Sequence, residues 1–334
     1  MSARPISVRL LASYLLVAVL PLAGLAAFYL ASFEAALRDT VVESMATIAD
    51  KKAEQIDSYL SERLDDARAL AQRNGVRDGV ATVGQRFHAG GLETPAYEDA
   101  AERLRDDLTV PFLSGGYHDL LLIDTAGNLV FSMVQESDLG TNLRTGPARD
   151  SQLAKAYALT MQTLQSHLSR FALYAPSANR PAAFLTAPVL EHGVVIGVLA
   201  LQLDFARLES VATDSTGLGR TGETVLAQKE GDEAYWTVPL KRLPDAAYHT
   251  LVRPEHAAPL IRRALAGEHG QGITTDYSGV EVVAAWRYVP ALGWAMGVKM
   301  DADEALAPAA RLRRITYIAL ALFLLASGVT AFFL

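Results

Sequence analysis

The sequence predicts an α+β protein: a long N-terminal helix carrying two tandem antiparallel-sheet lobes, bracketed by two transmembrane helices. Three observations predict it. Uncharged apolar runs occupy both ends, Leu10 to Leu30 and Ile315 to Leu334. Between Ser32 and Gln72, apolar residues recur at steps of three and four with no proline or glycine between them. Beyond Gln72 the pattern changes to short apolar runs separated by turn residues, and this arrangement occurs twice.

Each terminal run is long enough to span a bilayer, since about 20 helical residues cross roughly 30 Å of hydrocarbon. Leu25-Ala26-Ala27 offers small residues for signal cleavage. The first run nevertheless exceeds the roughly 7–15 apolar residues of a cleaved signal, so it reads as an anchor. Arg4 and Arg9 favour a cytoplasmic N-terminus. Arg311, Arg313 and Arg314 then lie outside, against that rule, although a long loop translocates largely regardless of its charges. The expectation is a multi-pass protein of the inner membrane with its large loop in the periplasm or extracellular space. The second run ends the chain, so an output domain is expected to follow it in a longer protein.

The stripe Leu37, Val41, Met45, Ile48, Ile56, Tyr59, Leu64, Ala67 and Leu70, interrupted by Lys52, makes one apolar face of a stalk helix. Its spacing approaches a coiled-coil seam, so a homodimer is expected along it, with packing on the chain's own lobes as the alternative. A glycine-rich stretch (Gly79, Gly84, Gly90, Gly91) reads as a loop, and Tyr97–Leu108 as a helix. His118–Asp124 and Leu129–Val134 flank Thr125-Ala126-Gly127-Asn128 as a hairpin. A helix over Ser151–Leu164 and strands over Arg170–Tyr174, Ala182–Pro188 and Val194–Leu203 complete the first lobe. In the second, Glu223–Ala227, Gly270–Tyr277, Val280–Tyr288 and Trp294–Met300 read as strands and Glu255–Ala266 as a helix. The strand ends Leu201-Gln202-Leu203-Asp204 and Val298-Lys299-Met300-Asp301, each before a helix, echo one another. The boundaries read as 1–31 for the N-terminal segment with the first span, 32–75 for the stalk, 76–213 for the membrane-distal lobe, 214–302 for the membrane-proximal lobe, and 303–334 for a connecting helix and the second span.

Several chemistries are excluded or disfavoured. The chain has no cysteine, which removes disulfides, thiol catalysis and thiolate metal sites. A net charge of −7 provides no basic surface for nucleic acid. The seven histidines show no metal-ligand spacing. Gly217-Leu218-Gly219-Arg220-Thr221-Gly222 matches G-x-G-x-x-G, but a strand follows it where a dinucleotide site needs a helix, so it reads as an interlobe linker. Asp301, Asp303 and Glu304 suit the start of a helix. No cofactor is expected.

The segments Leu121-Leu122-Ile123-Asp124-Thr125-Ala126-Gly127-Asn128-Leu129-Val130, Asp138-Leu139-Gly140-Thr141-Asn142-Leu143, Gly197-Val198-Leu199-Ala200-Leu201, Gly219-Arg220-Thr221-Gly222-Glu223-Thr224 and Tyr288-Val289-Pro290-Ala291-Leu292-Gly293-Trp294 occur in this order. Through them the chain, from about Ser32 to Arg314, resembles the double Cache family of bacterial transmembrane sensors. The resemblance implies two PAS-like lobes and a small-molecule pocket in the distal one. The family's amino-acid-binding branch carries Arg-x-Trp-Tyr and a later aspartate. Here the matching positions are Arg149-Asp150-Ser151-Gln152 and Gln202, so amino-acid specificity is not implied.

Tyr117, Phe131, Tyr157, Phe171, Tyr174 and Phe184 fall on elements expected to wall one sheet face. With Gln202 on that face and Arg149 at the mouth, they form the expected ligand site, with no catalytic residue or metal among them. The three tyrosines are the better contacts because a buried hydroxyl needs a partner, and His118, at a strand start, is a further residue expected near the cavity. The functional expectation is the sensing input of a receptor (histidine kinase, chemoreceptor or cyclic-dinucleotide enzyme), with membrane lipid around its spans. The alternatives are an interaction module binding a periplasmic protein and a membrane-anchored enzyme.

Overall fold

The computed structural model describes residues 17, 19–231, 233–252 and 258–333. Helix α1, Leu20–Ala71, joins part of the first apolar run to the stalk without a break. Residues 10–16 and 18 of that run lie outside the described residues. Helix α2 is Asn74–Gly90 and α3 is Pro95–Gly115. The expected glycine-rich loop is therefore a helix. Val76, Val80 and Val83 form its buried stripe, and Gly79 is where α3 approaches closely: a Cβ there would lie 2.6 Å from the Leu104 methyls. Glycine at that position serves helix packing rather than a turn.

Two six-stranded sheets follow, with every pairing antiparallel. The first contains β1 (Tyr117–Asp124), β2 (Leu129–Ser132), β3 (His167–Leu168), β4 (Ala172–Tyr174), β5 (Arg180–Glu191) and β6 (Val194–Asp204), with α4 (Gln152–Thr163) before β3. Its order is β2-β1-β6-β5-β3, and β4 also pairs with β5. Helix α5, Phe205–Thr213, leads to the second sheet. That sheet contains β7 (Glu223–Glu230), β8 (Glu233–Trp236), β9 (Leu251–Val252), β10 (Gly270–Thr275), β11 (Glu281–Val289) and β12 (Trp294–Asp301), in the order β10-β11-β12-β7-β8-β9. Helix α6, Pro259–Leu265, covers it; residues 255–257 of the expected helix lie outside the described residues. Helices α7 (Ala302–Ala305) and α8 (Ala307–Phe333) end the chain. The described parts of α1 and α8 are each long and apolar enough to cross a membrane.

Strand alternation sets the layers. Leu120 and Leu122 of β1, Leu185 and Ala187 of β5, and Leu199 and Leu201 of β6 face α1, α2 and α3 in one core. Leu226, Val283, Met296 and Val298 of the second sheet join that same core, so α1 is a spine shared by both sheets. The opposite faces have separate cores, one under α4 and one under α6. The α1 stripe is thus largely consumed internally: Met45, Ile56, Ala67 and Leu70 are buried, and Lys52 is buried too. The Lys52 ammonium donates to the carbonyls of Val211 and, at 2.7 Å, Asp214, so this lysine ties the spine to the end of α5.

Candidate functional site

The outer face of the first sheet carries a polar cluster built by three local devices. Alternation puts Asp119 of β1 and Gln202 of β6 on that face, directly paired across the strands. The short segment leaving β2 delivers Glu136 and Asp138. The β4–β5 hairpin delivers Ser177 through a tight turn in which Ala178 and Asn179 both take positive φ, 54° and 56°. Asn tolerates that conformation, whereas Ala is strained by it.

The contacts form one chain. Gln202 Nε2 donates to Ser177 Oγ at 2.9 Å, and the Ser177 hydroxyl donates to Glu136 Oε2 at 2.5 Å. Glu136 Oε1 meets His118 Nε2 at 3.0 Å, and Arg180 approaches that same nitrogen at 3.3 Å. One imidazole nitrogen cannot both donate to Glu136 and accept from Arg180, so these contacts compete. Nearby, the Tyr174 hydroxyl donates to Asp138 Oδ2 at 2.5 Å, while Asp138 Oδ1 is buried without a partner. Asp119 accepts the amides of Leu120, Met133 and Val134 and the hydroxyl of Ser132.

Charge in this cluster is poorly balanced. Asp119, Glu136 and Asp138 lie together, and among the described residues their one ion-pair partner is His118. Burial pushes the Asp119 pKa up to about 6 against the pull of its hydrogen bonds. Burial also raises the Asp138 carboxyl and, with Asp138 beside it, drives Tyr174 far above the usual phenol range. A cavity of about 180 Å³ opens next to the chain, lined by His118, Ser177, Arg180, Gln202, Asp204, Phe205 and Glu209 among others. Among the described residues, Arg180 has no carboxylate within ion-pair distance. Ser177 is not placed as a triad nucleophile: its hydroxyl meets the carboxylate directly, and the imidazole lies beyond it rather than between them.

The expected aromatic wall divides between the two sheet faces, and the reason is again alternation. Tyr157, Tyr174 and Phe184 share the outer core with Gln202's face. Tyr174 and Phe184 pack edge to face at 4.9 Å, and the Tyr157 hydroxyl is spent on the carbonyls of Asp124 and Thr125. Tyr117 and Phe131 belong to the inner core instead. A register shift after Tyr117 turns its hydroxyl to Asp66 of α1 at 2.9 Å, and Phe131 pairs with the inward-facing Leu122. Phe171, between β3 and β4, lies in the seam between the sheets. It packs on Phe205 at 5.3 Å and Trp294 at 5.6 Å, and its carbonyl accepts from Gln228. Arg149 is exposed beside Asp150 and does not line the cavity. His118 does line it. Asp119, Glu136, Ser177 and Arg180 join the candidate site but escape motif reading, and Asp138 opens a family-like segment without marking itself as a site residue, because only the hairpin turn and strand pairing bring them together.

A larger groove of about 490 Å³ lies between α1 and the end of α3. In its wall Arg63 donates to the Gly115 carbonyl and pairs with Glu62 and Asp66.

The second sheet also buries charge, with two cations against three carboxylates. Lys299 Nζ lies 2.6 Å from Asp276 and 2.9 Å from Glu223, beneath the Tyr277 ring. Arg242 adds pairs to Asp276 at 3.1 Å and Asp301 at 2.8 Å. Burial pushes Asp276 up, but hydrogen bonds from Lys299, Ser278 and the Val280 amide outweigh it and hold the carboxyl below its usual range.

Two antiparallel sheets threaded on one N-terminal helix, with a polar cavity where β1, β5 and β6 of the first meet, define a tandem two-lobe α+β fold. The Cache domain family model matches residues 33–309, and the chain belongs to that family. No curated protein matches the chain. Among solved structures, the fold is similar to the ligand-binding domain of the Pseudomonas aeruginosa PAO1 amino-acid chemoreceptor PctB in complex with L-Arg. That match has TM-score 0.53 and 17% identity and covers 80% of this chain and 98% of that one. The sensor domain of the V. cholerae histidine kinase DctB gives 0.51 and 14%, covering 78% and 98%. The ligand-binding domain of the Campylobacter jejuni chemoreceptor Tlp3 gives 0.55 and 13%, covering 80% and 94%.

Proposed function

We propose that this chain is the extracytoplasmic sensing input of a transmembrane receptor, anchored by the apolar ends of α1 and α8. On this reading the first lobe is distal to the membrane, the second is proximal, and the bound state is relayed through α8. The observation that carries the reading is the cavity beside Gln202, Ser177, Glu136, His118 and Arg180. Glu136 and Arg180 compete there for one imidazole nitrogen, and Asp119 and Asp138, buried in the adjoining cluster, have no ion-pair partner among the described residues. Buried charge of that kind is costly in a site that serves packing alone, and a bound polar ligand relieves it.

The proposed ligand is a small polar metabolite, in keeping with the amino acid carried by the PctB domain. Gln202 and Ser177 supply hydrogen bonds, Arg180 receives an anionic group, and Tyr174 and Phe184 back the cavity. Arg149, Tyr117, Phe131 and Phe171 lie outside this proposed contact set, and Tyr157 supports the wall. A volume of about 180 Å³ is below the roughly 300 Å³ of ordinary ligand pockets, so filling the site displaces its α5 wall. A homodimer through the part of α1 before Met45 belongs to the same reading.

The test is a thermal-shift screen of the full chain in nanodiscs against amino acids, amines and small carboxylates. A ligand at 100 times its Kd stabilises by about 2.7 kcal/mol. The expected result is a hit that Gln202→Leu and Arg180→Ala both abolish. Hits that survive both substitutions, or none across the set, would remove the site.

A further inference from the structure

The glycine motif between the sheets has no nucleotide role, yet its geometry is specific. Gly217 and Gly219 take φ of 79° and 65°. A Cβ on Gly222 would sit 1.9 Å from the Leu218 carbonyl oxygen, so only glycine fits there. This backbone closes over Glu304, in the short helix α7 immediately before α8. The Arg220 amide donates to Glu304 Oε1 at 2.9 Å. The Thr221 amide and hydroxyl donate to Oε2 at 2.7 and 2.5 Å. The carbonyls of Arg220 and Gly222 point away and accept from Lys241 Nζ at 2.8 and 2.6 Å. Glu304 is therefore held in both oxygens, and these donors lower its pKa to about 2. The same Thr221 hydroxyl accepts from the Asp301 amide at 3.1 Å.

Upstream, the loop follows directly from α5, which supplies Phe205 and Glu209 to the cavity wall. We infer that Gly217–Gly222 is a carboxylate clasp: it grips Glu304 and couples the position of α5, and hence occupancy of the first-sheet cavity, to helix α8. The inference rests on the sensing reading and adds its route. β12 runs into α7 as well, so the competing path passes through the second sheet. The clasp offers a shorter path, because it joins α5 to Glu304 at the base of α8 by one short segment of chain and three hydrogen bonds, with a fourth tying it to the end of β12.

The experiment needs no ligand. In the full chain in nanodiscs, Ala206→Trp fills the cavity from α5 and stands in for an occupant. Spin labels on cysteines at Arg38 of α1 and Arg311 of α8, both exposed, report the helix separation by double electron–electron resonance. The expected result is that Ala206→Trp shifts the distance distribution. Glu304→Ala and, as a milder variant, Thr221→Val should each reduce the shift by more than half, while Thr221→Ser retains it. An equal shift in the clasp variants would overturn the inference in favour of the second sheet. No shift with the clasp intact would overturn it outright. Failure of the metabolite screen leaves this result standing, so the two readings fail separately.

Discussion

The two sheets bury similar charged residues and treat them in opposite ways. In the second, Lys299 and Arg242 pair with Glu223, Asp276 and Asp301 within ordinary ion-pair distances. In the first, three carboxylates share one histidine and two groups compete for one imidazole nitrogen, while each cluster leaves one buried carboxylate oxygen unpaired, of Asp138 in the first and of Asp301 in the second. A compensated cluster is rigid and self-sufficient, since each charge is worth most to its partners and little to an incoming molecule. An uncompensated one holds a deficit that a ligand can fill. The same fold unit therefore carries a cluster tied by two cations in one lobe and a cluster with a single histidine in the other.

The sharpest way to break this comparison is Lys299→Met. It leaves Glu223 and Asp276 buried without their central cation, and a loss of about 3–5 kcal/mol is expected in denaturant unfolding of the detergent-solubilised chain. A loss below about 1 kcal/mol would place the second cluster in the same class as the first.

Glu136→Gln is the matching change in the first sheet. Removing one of three crowded carboxylates should alter stability by no more than about 1 kcal/mol, in either direction, while ligand stabilisation falls. A loss as large as that of Lys299→Met would make the first cluster structural as well.

Asp119 allows a comparison by pH. Its folded value near 6 lies above the roughly 3.9 of an unfolded aspartate, so the folded state binds the proton more tightly. The proton-linked contribution is present below the unfolded value and is lost as pH rises through about 6. Relative to Asp119→Asn, the wild-type chain should lose about 1–2 kcal/mol between pH 4.5 and 7.5. Parallel stability curves for the two proteins would show that the Asp119 carboxyl does not titrate differently on folding. The second cluster has the opposite sign: Asp276, held low, contributes stability above its unfolded pKa that is lost in acid.

The smallest effect concerns the stalk. Single cysteines at Val41, Met45 and Ile48 separate the dimer from the spine. Val41 and Ile48 are half-buried and Met45 is fully buried. Membrane crosslinking is expected at Val41 and to be least at Met45. Equal, negligible yields at all three would leave α1 as an intramolecular spine.

Much of the framework could be read from local pattern. The hairpin at Thr125–Asn128, the helix near Ser151, and the strands ending at Asp204 and Asp301 follow from alternation and turn residues, which act over a few positions. Reading failed where one residue type serves two purposes. The glycines after Gln72 signalled a loop, but Gly79 is small to admit Leu104, a contact 25 positions away in the chain. Lys52 looked like a defect in a seam, yet its partners are carbonyls on α5.

The site was the least legible part, for a related reason. Sequence alone determined that the first lobe has many aromatic residues and that Gln202 lies on one of its strands. Which aromatics face Gln202 depended on the register shift after Tyr117, and a displacement of one residue moves a side chain to the other sheet face. The meeting of Glu136, Ser177, His118 and Arg180 depended on a turn with two positive-φ residues. Composition and periodicity determine which elements form, because hydrophobic burial is local in pattern. Only the tertiary structure decides which polar groups are left facing one another without enough partners, because that follows from pairing between distant strands.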